Sequence, residues 1–217
     1  MTSPDSSDRP SFGNTSPFGD TPLQGAGLIL AGGLSRRMGH HKALLPVAGT
    51  TFLGLVLERM RGLGLAQIYV VCCPDLVKRL SLPVDVCLCM NPHPESGPIG
   101  SLQVGLRAGA GERAWVMVAL VDHPVVAADT YVRLAYAARS TVADMWVPSY
   151  DGRRGHPVVF ARCMYEDLLQ VPPGEGARWA VARHRSQRYE VPVVDAEVVR
   201  NVDTPEEYSR LLEAYGE

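Results

Sequence analysis

Long apolar runs are missing from this 217-residue chain. No stretch of about 18 consecutive apolar residues occurs, which excludes a membrane-spanning helix. A basic excess is missing too. Twenty-one Lys and Arg face 23 Asp and Glu, giving a formal charge of −2, and this argues against a nucleic-acid-binding surface. Met1 to Asp20 lacks the apolar segment of a secretory signal, so a cytoplasmic setting is expected. Cysteine is sparse and odd in number, at positions 72, 73, 87, 89 and 163. Reduced thiols packed in strands are the expectation. A metal cluster at Cys72, Cys73, Cys87 and Cys89 is the alternative, but their spacing completes no zinc signature. With 46% apolar residues, the chain is long enough to fold without a disulfide or metal.

What is present divides in two. Residues 1–24 are mostly Ser, Pro, Thr, Gly, Asp and Asn, and they bury too little apolar surface to offset their ordering entropy. A disordered tail over 1–24 and a single domain over 25–217 are expected. In the domain, Ala26–Ala31, Gln67–Cys73, Val84–Met90 and Ala114–Val121 read as buried strands of a parallel sheet covered on both faces. Helices are predicted near 51–64, 74–80, 99–109 and 127–139. Strands follow near 144–148 and 156–161, a helix near 177–184 and a strand near 188–194. In the last helix, Thr204 is the N-cap, Pro205 takes the first position and Glu207 completes a capping box. Tyr208, Leu211, Leu212 and Tyr215 then form its apolar face. Strand–helix alternation predicts an α/β fold with right-handed crossovers.

The chemistry concentrates in Leu30-Ala-Gly-Gly-Leu-Ser-Arg-Arg-Met-Gly-His-His-Lys42, directly after the first strand. In an open parallel sheet, ligands bind beyond the carboxyl ends of the strands. Gly32 and Gly33 let the backbone approach a phosphate, and backbone N–H groups in such a turn can form an anion nest. Ser35, Arg36, Arg37 and Lys42 add a hydroxyl and cations. The P-loop spacing and the dinucleotide fingerprint are both absent. A glycine-containing turn with solvated arginines is the alternative reading of this stretch.

Leu30-Ala-Gly-Gly-x-Ser-x-Arg-Met-Gly-x-x-Lys42 resembles the signature loop of the nucleotidyltransferases related to the molybdenum-cofactor cytidylyl- and guanylyltransferases. Further blocks agree in order: Leu44-Leu45-Pro46 with Gly49, Asn91 with Gly97 and Ser101-Leu102, Asp122-His-Pro124, Gly152-Arg-Arg-Gly-His-Pro157 and Asn201-Val-Asp-Thr-Pro205. Together they span about residues 27 to 215. One departure is His41, where the cytidylyl branch commonly has Pro before the Lys.

The resemblance implies a three-layer α/β/α, mostly parallel, Rossmann-like nucleotidyltransferase fold. It also implies transfer of a nucleoside monophosphate from a triphosphate to an acceptor phosphate, with release of pyrophosphate. Such a reaction is promoted by positioning and electrostatic stabilisation. Mg²⁺ is the implied cofactor, with Asp122 and Asp203 as its ligands. For Asp203 the alternative is a favourable charge before a helix N-terminus. Lys42 is expected on the α-phosphate and Arg37 on the β- and γ-phosphates. Leu30, Ala31, Gly32, Gly33 and Ser35 would form the nucleotide loop. Asn91 and Ser101 are candidate base or ribose contacts, or else a turn residue and a helix-start residue. Gly155, His156 and Pro157 would face a molybdopterin-type acceptor, His156 being otherwise a structural turn residue.

The branch signals diverge. Ala31-Gly32-Gly33 resembles the guanylyl branch. Asn91, Ser101-Leu102 and the Gly-His-Pro block resemble the cytidylyl branch, so CTP is the first expectation and GTP the alternative. Another phosphorylated acceptor, or a non-catalytic chaperone delivering a cofactor to a molybdoenzyme, are the further alternatives.

Overall fold

The computed structural model describes residues 17–18, 23–33 and 40–216. The first strand, β1, runs Leu23–Leu30. A 3-10 turn at Lys42–Leu44 leads into a hairpin of β2 (Pro46–Val47) and β3 (Thr50–Thr51). Next come α1 (Phe52–Arg61), β4 (Leu65–Cys72), α2 (Pro74–Val77), β5 (Val86–Met90), α3 (Gly97–Arg107) and β6 (Trp115–Leu120). The second half contains α4 (Ala128–Ser140), β7 (Met145–Tyr150), β8 (Arg153–Arg154), β9 (Val158–Ala161), α5 (Tyr165–Leu169), α6 (Arg178–Val181), β10 (Arg188–Pro192) and α7 (Pro205–Tyr215).

Eight strands share one sheet in the order β10-β7-β9-β6-β1-β4-β5, with β8 paired to β7. β1 pairs parallel to both β4 and β6, β4 parallel to β5, and β10 parallel to β7. β9 runs antiparallel between β6 and β7. The chain winds from β1 outward to β4 and β5, then returns across to β6 on the other side of β1. That reversal leaves a crevice beyond the carboxyl ends of β1 and β6.

Alternation along the strands divides the core. Ile29, Val70 and Met117 pack with Val56 and Met60 of α1 and with Tyr131 and Leu134 of α4. Leu28, Val71 and Val118 pack on the other face with Leu102 and Leu106 of α3 and Leu168 of α5. Burial on both faces explains the continuous apolar runs of β1, β4 and β6, whereas β5, at the sheet edge, leaves Cys87, Leu88 and Met90 exposed, contrary to the buried strand expected there. A smaller cluster of Leu45, Val47, Phe52, Val202 and Leu211 seats α7 on the hairpin, where the Tyr208 hydroxyl donates to the Pro46 carbonyl at 2.7 Å.

The three-layer, mostly parallel architecture is the one expected, with differences in detail. β1 begins at Leu23, ahead of Ala26 and inside the stretch read as tail, and Phe18 packs partly buried against the core. Most of the remaining tail lies outside the described residues. Val84 is exposed and precedes β5. The segment read as a helix over 177–184 is a short α-helix followed by a 3-10 stretch, because His184 leaves helical geometry at φ −108°. Tyr215 is exposed, so the apolar face of α7 fades at its last turn. The hairpin β2–β3, β8 and α5 were not anticipated; each is five residues or fewer, too short to set a period. Cys72 and Cys73 are buried at and just past the end of β4, and Cys163 is exposed. No described helix is long and apolar enough to cross a membrane.

A polar cluster joins three segments of the second half. His184 Nδ1 lies 2.6 Å from Asp144 Oδ2, and its Nε2 lies 2.9 Å from Asp167 Oδ2 of α5. Cys163 Sγ donates to the other Asp144 oxygen at 3.2 Å, and Arg183 approaches Asp167 at 3.8 Å. With a carboxylate at each ring nitrogen, the imidazolium is favoured, since only that form donates from both. The hydrogen bond to Asp144, helped by Asp167, raises the His184 pKa above its ordinary 6.5. The same bond lowers that of Asp144. A raised histidine stabilises the fold fully below its unfolded value and loses that contribution as pH rises through the folded value. Urea midpoints should therefore fall as pH is raised above about 6.5, and His184→Gln should flatten that slope. An unchanged slope in the variant would remove His184 as its source.

Candidate active site

A cavity of about 420 Å³ opens over the carboxyl ends of β1 and β6. Leu30, Ala31, Gly32 and Gly33 form one wall, and Leu120, Val121 and Asp122 another. Gly97, Pro98 and Ser101 of α3 close a third side, and Lys42, Ala43 and Asp203 the fourth. Its size suits a small organic ligand.

Backbone hydrogen bonds bring these segments together. Ala31 N–H donates to Val71 at 2.8 Å, and Val121 N–H to Leu30 at 3.3 Å. Val202 N–H donates to the Asp122 carbonyl at 2.8 Å, pinning the Asn201-Val-Asp203 segment to the end of β6. Lys42 Nζ hydrogen-bonds Asp203 Oδ1 and lies 4.0 Å from Asp122 Oδ2. Asp203 is fixed further by Asn201 Nδ2, which donates to its other oxygen at 2.5 Å. Glu207 of the capping box accepts from Asp203 N–H at 2.6 Å as well as from Thr204 N–H at 2.9 Å. The helix cap thus orients the Asp203 backbone, while its carboxylate turns to Lys42.

Asp122 Oδ1 is buried with no hydrogen-bond partner, and the nearest imidazole nitrogen, His123 Nε2, is 4.0 Å away. Burial raises the Asp122 carboxyl above the ordinary carboxylate range, and His123 and Lys42 only partly offset it. Two hard oxygen donors facing one crevice, one of them with an unsatisfied oxygen, suit a divalent cation that keeps its other positions for phosphate and water.

Ser101 stands across from Gly32. A Cβ at Gly32 would come within 2.6 Å of Ser101 Oγ, so a side chain there would have to displace the Ser101 hydroxyl. Asn91 is buried behind Ser101 and is not part of the cavity wall; its Nδ2 donates to Ser101 Oγ at 3.1 Å, and its Oδ1 accepts from His93 N–H at 2.9 Å. Ser101 lies one turn inside α3, so it is not a cap. Gly155, His156 and Pro157 do not line the cavity. His156 N–H donates to Val198 at 2.9 Å, and its ring lies 5.2 Å from that of His123. Burial, then the neighbouring His123, pushes the His156 pKa down to about 4, so the ring is neutral at pH 7. Ser35, Arg36 and Arg37 lie outside the described residues. Gly97 and Pro98 on the wall, Asn201 behind Asp203 and His123 beside His156 were not assigned from sequence. Gly97, Asn201 and His123 belong to the ordered blocks, which were the available signal.

A switch-point crevice with a glycine-rich loop, under a mostly parallel sheet, defines a nucleotide-handling α/β protein. Residues 27–191 match the MobA-like NTP transferase domain, and the chain belongs to that family of nucleotidyltransferases. It is similar to a Mycobacterium tuberculosis protein named "Probable molybdenum cofactor guanylyltransferase", with 35% identity over 156 residues, 70% of this chain and 75% of that one. The crystal structure of Rv0371c from Mycobacterium tuberculosis superposes with a TM-score of 0.77 at 29% identity, covering 89% of this chain and 100% of that chain. A further structure, of Rv0371c in complex with manganese, gives a TM-score of 0.72 at 26% identity, covering 87% of this chain and 98% of that one.

Asn91 carries one buried and one partly buried hydrogen bond. Asn91→Ala should lower unfolding free energy by about 1–3 kcal/mol, because Ser101 Oγ and His93 N–H would lose their partner. Urea denaturation measures this; a change within about 0.5 kcal/mol would show that the two groups find other partners.

Proposed function

We propose that the chain transfers GMP from GTP to the phosphate of a molybdopterin-type acceptor. An acceptor phosphate oxygen bonds to the α-phosphorus, the bond to the bridging β-oxygen breaks, and pyrophosphate leaves. The observation that carries this reading is the meeting of Lys42, Asp122 and Asp203 at the mouth of the loop Leu30–Gly33. The names of the relatives move the choice of nucleotide from CTP to GTP, and Gly32 agrees with them.

In this reading Lys42 contacts the α-phosphate and offsets charge that grows as the bond to the leaving group lengthens. Arg37 takes the β- and γ-phosphates. Asp122 and Asp203 hold Mg²⁺, which when bound supplies positive charge to the phosphate oxygens. Gly32 and Gly33 bring backbone N–H groups to the phosphates, and Ser101, held by Asn91, faces the nucleoside. Neutral His156, with Gly155 and Pro157, presents a hydrogen-bonding edge toward the acceptor. A cytoplasmic molybdoenzyme would receive the product.

Thermal unfolding with Mg²⁺ and each of GTP, CTP, ATP and UTP tests the nucleotide. Saturation at about 100 times Kd adds roughly 2.7 kcal/mol, a rise on the order of 5–10 °C for a chain of this size. A selective rise with GTP is expected; a selective rise with CTP would return the reading to the cytidylyl branch. Pyrophosphate release in the presence of acceptor separates an enzyme from a delivery chaperone. Asp122→Asn should abolish that release, and near-native turnover would remove Asp122 from the reaction. Gly32→Ala displaces Ser101 and should shift GTP-over-CTP preference in kcat/KM by about tenfold or more, as expected for a one-carbon change beside a bound base. An unchanged ratio would separate Gly32 from nucleotide choice.

A further inference from the structure

The lysine given to the α-phosphate is already engaged by the two acids given to the metal. Lys42 Nζ hydrogen-bonds Asp203 Oδ1 and lies 4.0 Å from Asp122 Oδ2, and its side chain is 13% exposed. An ammonium there and a divalent cation on the same oxygens carry like charge into one shielded crevice, where repulsion is strong. The carboxylates are the fixed partners. Asp122 lies in the turn two residues after the central strand β6, and Asp203 is held by Asn201, Glu207 and the bond from Val202 to Asp122. Lysine, by contrast, is a compact charge on a flexible four-carbon stem. The ammonium also leaves Asp122 Oδ1 unsatisfied, so it fills the place of a cation incompletely.

We propose that Lys42 is the resident counter-ion of the Asp122–Asp203 pair, and that it is released toward the phosphates when a divalent cation takes those oxygens. The inference rests on the metal assignment made above. Before metal binds, Lys42 keeps two acids in one crevice from standing uncompensated. Once metal binds, the same charge is delivered to the nucleotide. By linkage, a nucleotide that captures Lys42 raises metal affinity by the factor with which metal raises nucleotide affinity. The order of loading then needs no moving domain, only the exchange of one ammonium.

The chain contains two lysines, Lys42 and exposed Lys78, so Lys78 serves as an internal reference. Limiting acetic anhydride acetylates accessible amines, and mass spectrometry of the full chain gives the Lys42 to Lys78 ratio with and without Mn²⁺ alone. Free Mn²⁺ is measured in parallel by electron paramagnetic resonance for the native chain, Lys42→Met and Asp122→Asn. Saturating Mn²⁺ should raise the ratio about fivefold in the native chain, and Lys42→Met should bind Mn²⁺ about tenfold more tightly. Mn²⁺ binding that Asp122→Asn weakens, with a constant labelling ratio, would overturn the exchange and leave the metal assignment standing. Mn²⁺ binding that is absent from both the native chain and Lys42→Met, or indifferent to Asp122→Asn, would remove the metal assignment and the exchange with it.

Discussion

Asp122 and Asp203 bring like charge into one crevice, and Lys42 stands between them. The three residues come from distant parts of the chain, with 161 positions between Lys42 and Asp203. Their meeting depends on main-chain bonds more than on the ions. Val202 N–H reaches the Asp122 carbonyl, so the last segment before α7 is sewn to the end of a central strand. The capping box of α7 then sets the Asp203 backbone. Breaking a shielded ion cluster by removing one partner leaves an uncompensated charge and costs far more than an exposed pair would. The site's polarity and the packing of α7 are therefore one problem with one solution.

The sheet supplies the place where that solution is possible. β1 has parallel neighbours on both sides, and the chain leaves it in opposite directions to reach them. Helices α1 and α4 cover one face and α3 and α5 the other, so no crossover fills the space above β1 and β6. Antiparallel β9 extends the sheet from β6 and carries the chain past Gly155 and His156, beside His123. The Gly155–Pro157 stretch and the Asp122 end of β6 thus share a border where the His123 and His156 rings meet. His184, bound by two carboxylates on different elements, secures the far half of the sheet without touching the crevice.

Much of this was legible in the residues. The apolar runs of β1, β4 and β6 read correctly because strands buried on both faces leave an unbroken apolar run, whereas the run at 84–90 is an edge strand that leaves Cys87, Leu88 and Met90 exposed. Thr204, Pro205 and Glu207 are a local signal, and the capping box is there. The loop and the ordered blocks brought out Lys42, Asp122 and Asp203, which the fold gathers. What could not be read was long-range or short-period. A two-residue strand such as β8 has no periodicity, and His184, where the helix kinks, finds its partners in carboxylates 17 and 40 residues away. The role of Asn91 was open for the same reason: a turn residue and a ligand contact look alike until Ser101 is found in front of it.

That contact also changes how the branch signals are weighed. Gly32 resembled one branch, and Asn91 with Ser101 the other, as though they were separate votes. In the folded chain they are a single steric unit. Asn91 fixes the Ser101 hydroxyl, and that hydroxyl occupies the space a Cβ at position 32 would need. A side chain at position 32 would therefore have to turn the Ser101 hydroxyl away from Asn91, so the two positions act together. Counting matched residues treats coupled positions as independent, and coupled positions in contact are where additivity fails. In the function proposed here, the shape left beside the Gly32–Ser101 contact, and not the number of residues resembling either branch, is what a purine or a pyrimidine would meet.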